Sequence, residues 1–184
     1  MDTKKIVITG SAGTGKTSVI NALKTKGFFC FEEVIRILTL EAKGEVDPSS
    51  HISNPIAFAN DPLDFNTRLL NGRIEQFKQA NSINKELNFF DRGIPDVLAY
   101  MDYFNQDYGG LFTKACKEYI YSTVFLLPPW KAIYKTDNER FETFEEAVKI
   151  HDHLVITYKK FGYNIIEVPF GTIEERTNYI INHI

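Results

Sequence analysis

The run KKIVIT, residues 4–9, is apolar and β-branched after its two lysines and breaks at Gly10. A short apolar run bounded by a turn residue marks a strand buried on both faces. GKTSVINALKTKG follows, with apolar residues at helical spacing and Gly27 at its end, so the chain opens as strand, glycine-rich turn and helix. FFCF then reads as a second strand and EEVIRILTLEAK as a helix. Two Asx- and Ser-rich clusters with three prolines make GEVDPSSHISNPIAFANDP an irregular excursion, suited to a substrate-covering segment.

The alternation continues with a helix from about Phe65 to Lys85, the strand LNFF, helices over PDVLAYMDYF and LFTKACKEYIY, and the strand STVFLL. After PPWKAIYKTDN the pattern predicts a helix from Glu139 to Phe161, the strand NIIEV and a last helix from Thr172. Parallel strands need helix-sized crossovers, so the expected fold is α/β, with about five parallel strands and helices on both faces, in one domain over residues 1–184.

Composition narrows the partners. Apolar residues make up 43% and charged residues 24%, ordinary for a globular chain, and no stretch is long enough to cross a bilayer. A soluble, cytoplasmic protein with no membrane partner is the expectation. The net charge of -3 provides no basic face for a nucleic-acid backbone. Cys30 and Cys116 lack metal-ligand spacing and read as reduced packing residues. A homo-oligomer is one possible assembly.

Gly10, Ser11, Ala12, Gly13, Thr14, Gly15, Lys16 and Thr17 satisfy G-x-x-x-x-G-K-[ST] between a strand and a helix, the context that a phosphate loop requires. Glycines let backbone N–H groups converge at the positive end of the following helix, where phosphate oxygens fit. On this reading the loop binds ATP, Lys16 lies along the β- and γ-phosphates, and the Thr17 hydroxyl ligates Mg²⁺. Ser18, at the loop's end, reads as a helix residue more than a second metal ligand.

NKEL at 84–87 lacks the Asp of a guanine-reading N-K-x-D, DRGI at 91–94 fails D-x-x-G, and no transporter signature L-S-G-G-Q is present. LNFF stops on Asp91 and Arg92, costly charges to desolvate without partners or a task. At the C-terminal end of a central parallel strand they face the phosphates: Asp91 holds the Mg²⁺ shell and Arg92 forks onto a phosphate or substrate hydroxyl. The alternative is a local Asp–Arg pair capping the next helix.

GSAGTGKTS, FEEVIR, FFDRGIPD, PPW with the later TDNERFETFEEA, and VPFGTIEER together resemble the small AAA-labelled P-loop ATPase family related to the nicotinamide riboside kinase domain and, more remotely, to deoxynucleoside kinases. The resemblance spans nearly the whole chain. It implies a three-layer P-loop NTPase fold of nucleoside-kinase type, ATP and Mg²⁺ as ligands, and an acceptor pocket between the second-strand helix and the helix before Asp91. It also implies a carboxylate after the second strand that takes the acceptor's proton, and a base-contacting turn at VPFGTIEER.

Glu32 and Glu33 both fit that carboxylate; strand alternation from Phe31 favours Glu33. Arg36, one turn on, either binds substrate or pairs with Glu32. Among Lys131, Lys135 and Arg140, the planar fork of Arg140 suits a transferring phosphoryl group best, with Thr136 or Asp137 expected to cap its helix. Arg73, amid an apolar stripe, either lines the acceptor pocket with Gln76 or snorkels to water. His151 reads as a hydrogen-bonded core residue and Trp130 as packing. The resulting expectation is Mg²⁺-dependent transfer of the ATP γ-phosphoryl group to a small nucleoside-like acceptor, with Lys16, Glu33, Asp91, Arg92 and Arg140 as the chemical set. A regulatory ATPase and a non-catalytic nucleotide binder are the rival classes.

Overall fold

The computed structural model describes residues 3–35, 61–134 and 142–184. Arg36, Lys135, Arg140 and the segments GEVDPSSHISNP and TDNER lie outside the described residues. Five strands form one parallel sheet: β1 (Lys4–Thr9), β2 (Phe29–Phe31), β3 (Leu87–Asp91), β4 (Thr123–Leu126) and β5 (Ile165–Glu167), in the order β2-β3-β1-β4-β5. The described helices are α1 (Lys16–Thr25), α2 (Pro62–Gln79), α3 (Ile94–Tyr103), α4 (Gly110–Glu118), α5 (Phe144–Lys160) and α6 (Ile173–Ile181).

The three inner strands β1, β3 and β4 are buried on both faces over most of their length, which is why they read as apolar runs, whereas the edge strands β2 and β5 are only partly covered. Val7, Phe90 and Val124 face α2, α3, α4 and α5, where Leu69, Leu98, Phe112 and Leu154 complete a core. Ile6, Ile8, Phe89 and Phe125 face α1 and α6, against Val19, Leu23 and Ile180. Burying each large side chain of these two layers stabilises the fold by about 1.5–3 kcal/mol relative to exposure. Cys30 and Cys116 are free thiols. No described helix is long and apolar enough to cross a membrane.

Two helices have bounds that differ markedly from the sequence reading. The helix before β3 starts at Pro62, not Phe65, because Asp61 accepts from the Leu63 and Asp64 amides at 3.0 Å with proline at the first helical position, and it ends at Gln79 rather than Lys85. The helix expected from Glu139 begins at Phe144. There Thr143 Oγ1 accepts from the Glu146 amide at 3.2 Å while Glu146 Oε2 accepts from the Thr143 amide at 2.6 Å, a reciprocal capping box. Thr143 is thus the cap of this helix, and Thr136, Asp137 and Arg140 lie outside the described residues. His151 is half-buried and its Nδ1 has no hydrogen-bond partner among the described residues, where a satisfied core histidine was expected.

β1 lies between β3 and β4: the chain passes from β1 through α1 to β2 on one side, and after β3 it crosses past β1 to β4 on the other. That divergence opens a crevice at the C-terminal end of β1, where open α/β sheets bind ligands.

Candidate active site

The loop from Gly10 to Gly15 fills this crevice. Gly13 and Gly15 have φ of +72° and +86°, in the left-handed region that favours glycine. A Cβ on Gly13 would stand 2.7 Å from the Tyr134 ring, and one on Gly15 2.8 Å from Arg176 Nη1, so these contacts also require the missing side chains. The loop is braced from within: Thr14 Oγ1 donates to the Ser11 carbonyl at 3.1 Å and Lys16 Nζ donates to the same oxygen at 2.8 Å. The N-cap residue of α1 is Gly15, which makes no side-chain cap, and the first turn holds no acidic residue. The first-turn amides of a helix, with Lys16 beside them, form a positive pole suited to an anion. The buried hydroxyl of Ser11 also has no hydrogen-bond partner among the described residues. The donor set fits a polyphosphate.

Lys16 is 8% exposed. Burial and then the neighbouring Arg92 lower its pKa to about 7, against the opposing pull of Asp91, Glu33 and Asp96. Asp91 is the last residue of β3, level with Ile8 of β1, and is 3% exposed. Register between two parallel strands thus brings Asp91 to the edge from which the loop departs. The Thr17 hydroxyl, one residue after Lys16, and the Asp91 carboxylate offer the hard oxygen donors that Mg²⁺ prefers.

Arg92 leaves the strand with φ of +75°, an unusual conformation for a non-glycine residue. Its amide donates to the Ile8 carbonyl at 3.1 Å. Its guanidinium turns back under the loop: Nε donates to Glu33 Oε1 at 2.6 Å, and Nη1 to the Gly10 carbonyl at 3.0 Å and Asp96 Oδ1 at 3.2 Å. Arg92 therefore pairs with Glu33 and Asp96, and the local Asp91–Arg92 cap is not the arrangement. Its cation also lies 5.2 Å from the Tyr100 ring centroid.

The two glutamates after β2 separate. Glu32 is exposed and pairs with Lys24, whereas Glu33 points inward to Arg92. Strand alternation is not the cause, because β2 ends at Phe31; the turn beyond it directs Glu33. Burial raises the Glu33 pKa, but Arg92, Lys16 and Arg73 outweigh it and hold the carboxyl below the usual range. Arg73 is 2% exposed and donates Nη1 to the Gly93 carbonyl at 2.8 Å, so it does not snorkel. Gln76 donates to the Glu32 carbonyl at 2.7 Å, fixing the turn that carries Glu33 to α2.

Three participants escaped the sequence reading. Asp96 is fully buried and accepts from Thr9 Oγ1 at 2.5 Å, Arg92 Nη1, the Gly93 amide at 2.9 Å and the Tyr158 hydroxyl at 2.5 Å. It ties β1, the β3 exit, α3 and α5 together. Burial opposes its charge, yet Arg73, Arg92 and the bonds from Thr9 and Tyr158 hold its pKa low. The sequence signal was an acid three residues after Gly93, the N3 position of a helix start. Arg176 of α6 donates Nη1 to the Thr14 carbonyl at 2.8 Å. Glu142 is buried near the same loop. Trp130 packs on Phe170, ring centroids 5.1 Å apart, and Lys131 is exposed.

Comparison with known proteins agrees with this architecture. The AAA domain family model matches residues 5–176, and the chain belongs to that family. NadR, solved in complex with NR, is similar with a TM-score of 0.70 and 18% identity, over 98% of this chain and 49% of that one. This chain thus spans about half the length of NadR. Deoxyadenosine kinase from M. mycoides gives a TM-score of 0.66 and 16% identity, covering 97% of both chains. Thymidylate kinase from Candida albicans gives 0.66 and 17%, covering 99% of this chain and 91% of the other. No curated protein matches the sequence significantly. The fold is that of the P-loop nucleoside and nucleotide kinases.

Proposed function

We propose that this protein is a P-loop kinase that transfers the γ-phosphoryl group of ATP to a hydroxyl of a small, nucleoside-like acceptor. The observation that carries this reading is the convergence at one sheet edge of the α1 N-terminus, Lys16, Asp91 and the Glu33–Arg92 pair. A hydrolytic switch needs the first three; a protein-held carboxylate facing the loop is what an acceptor hydroxyl adds.

Phosphoryl transfer proceeds through a loose transition state, so catalysis consists mostly of positioning and charge stabilisation. The amides of residues 11–16 and the Lys16 ammonium bind the phosphates. Mg²⁺, held by Thr17 and Asp91, would neutralise further phosphate charge. Glu33 is ionised at neutral pH because its pKa is lowered. A carboxylate of lowered pKa is a weak base, so its main contribution is to accept a hydrogen bond from the acceptor hydroxyl and aim that oxygen. The proton passes to Glu33 as the new O–P bond forms. Arg92 holds Glu33 through Nε and the loop through Nη1, which leaves Nη2 for the transferring group. Arg73 lies beside this carboxylate cluster, where the acceptor pocket is inferred. Arg36 and Arg140 are retained as candidates for acceptor and phosphoryl contacts.

The similar folds of NadR and deoxyadenosine kinase make nucleosides the first acceptors to test. Purified protein with ATP and Mg²⁺ would be screened against nucleosides and other hydroxyl metabolites, following ADP release and the phosphorylated product. Acceptor-dependent ADP release with a matching product supports the proposal. Equal ADP release with and without every acceptor would replace it with a hydrolytic switch.

A further inference from the structure

Glu142, immediately before the Thr143 cap of α5, is 6% exposed, and neither carboxylate oxygen has a hydrogen-bond partner among the described residues. A buried carboxylate without such partners is costly, so its position calls for a task. The backbone places it deliberately. The Tyr134 hydroxyl donates to the Glu142 carbonyl, and the Tyr134 ring packs against Gly13 closely enough that a Cβ there would clash. Glu142 is thereby held over the phosphate loop from one side by Tyr134 and from the other by the capping box of α5.

Its electrostatic neighbours are those of the cradle. Burial raises the Glu142 pKa, while Arg92, Lys16 and the Ala12 amide oppose that rise; the amide approaches without closing a hydrogen bond of normal geometry. These are the groups that bound phosphates would also engage. Two anions in one desolvated, cationic pocket repel.

We infer that Glu142 is a built-in competitor for the phosphate site, an autoinhibitory carboxylate that a polyphosphate must push aside to bind. This deepens the nucleotide-binding reading of the loop and rests on it. The competition is specific to phosphate, because the ribose and base of a ligand carry no charge into the Lys16–Arg92 field.

The test compares wild type, Glu142→Gln and Glu145→Gln by calorimetry with ATP, inorganic tripolyphosphate and adenosine. Glu145, three residues along, is exposed and controls for net charge. Glu142→Gln should bind ATP and tripolyphosphate about tenfold tighter, a step worth ~1.4 kcal/mol, with adenosine binding unchanged. Glu145→Gln should match wild type. Unchanged or weaker binding of both phosphate ligands by folded Glu142→Gln overturns the inference and leaves the kinase proposal standing. Absence of phosphate-ligand binding by every protein overturns both. Hydrogen exchange on the wild type gives a measurement independent of any variant: tripolyphosphate should speed exchange at residues 142–146, and unchanged or slower exchange there overturns the inference.

Discussion

Arg92 Nε donates to Glu33 Oε1 across 2.6 Å, joining the turn after β2 to the exit of β3, although the two residues are 59 positions apart. Both side chains are largely withdrawn from water, so the pair is more than a surface ion pair. Removing either partner leaves the other charged and poorly compensated.

That contact predicts coupling. Arg92→Ala and Glu33→Gln, measured singly and together by denaturant unfolding, should be non-additive by about 1–3 kcal/mol. In kinetics, Glu33→Gln should lower kcat while leaving ATP affinity near wild type. Additive stabilities would show that the contact carries no energy, and unchanged kcat would move the proton acceptor elsewhere.

Asp96 concentrates four donors on one buried carboxylate, so Asp96→Asn should cost about 3–5 kcal/mol at neutral pH. Its folded pKa is lowered, so its stabilisation is fully present above the ordinary Asp value of about 3.9. That stabilisation is lost as pH falls through the lower folded value. The gap between wild type and Asp96→Asn should therefore be wide near neutrality and narrow in acid. A gap that stays constant down to about pH 2 would show that the charge of Asp96 is not what stabilises the fold.

The contrast between Asp91 and Asp96 explains how far the sequence was readable. Asp91 ends an apolar run two residues before Gly93, so its place at a strand end follows from local pattern, as does the loop from Gly10 to Thr17. Asp96 depends on Thr9, Arg92 and Tyr158, partners assembled by the sheet order and the docking of α5, which no local period encodes. Glu33 rather than Glu32 points inward to Arg92, yet the strand alternation that favoured it does not continue beyond Phe31 to that position. The start of α5 was legible in T-x-x-E at 143–146 and was obscured by the Thr, Asp and Glu residues preceding it, each also a plausible helix opener.

The Thr143 cap supports both a helix and the carboxylate beside it. Thr143→Ala removes the acceptor of the Glu146 amide and should destabilise the protein by about 1 kcal/mol in thermal or urea unfolding. If the cap also holds Glu142 over the loop, Thr143→Ala should tighten tripolyphosphate binding in the wild-type background and have no such effect once Glu142→Gln is present. Equal effects in both backgrounds would separate the cap from the phosphate site.

Lys16 links nucleotide binding to protons. Burial, followed by Arg92, lowers its pKa to about 7, so in slightly alkaline solution the free protein holds much of this side chain neutral. Phosphate oxygens against the amine favour its charged form, raising the pKa in the complex. Binding above neutrality must therefore take up a proton, whereas binding in mild acid finds Lys16 already charged. Calorimetry of ATP in buffers of different ionisation enthalpy should give uptake approaching about one proton near pH 8 and close to none near pH 6. Lys16→Met should abolish the pH-dependent uptake and lower kcat by roughly 10²–10³ or more, as expected for loss of a donor that stabilises transition-state charge. The same uptake in Lys16→Met would assign the proton to another group, and near-normal turnover by that variant would remove the loop from the chemistry.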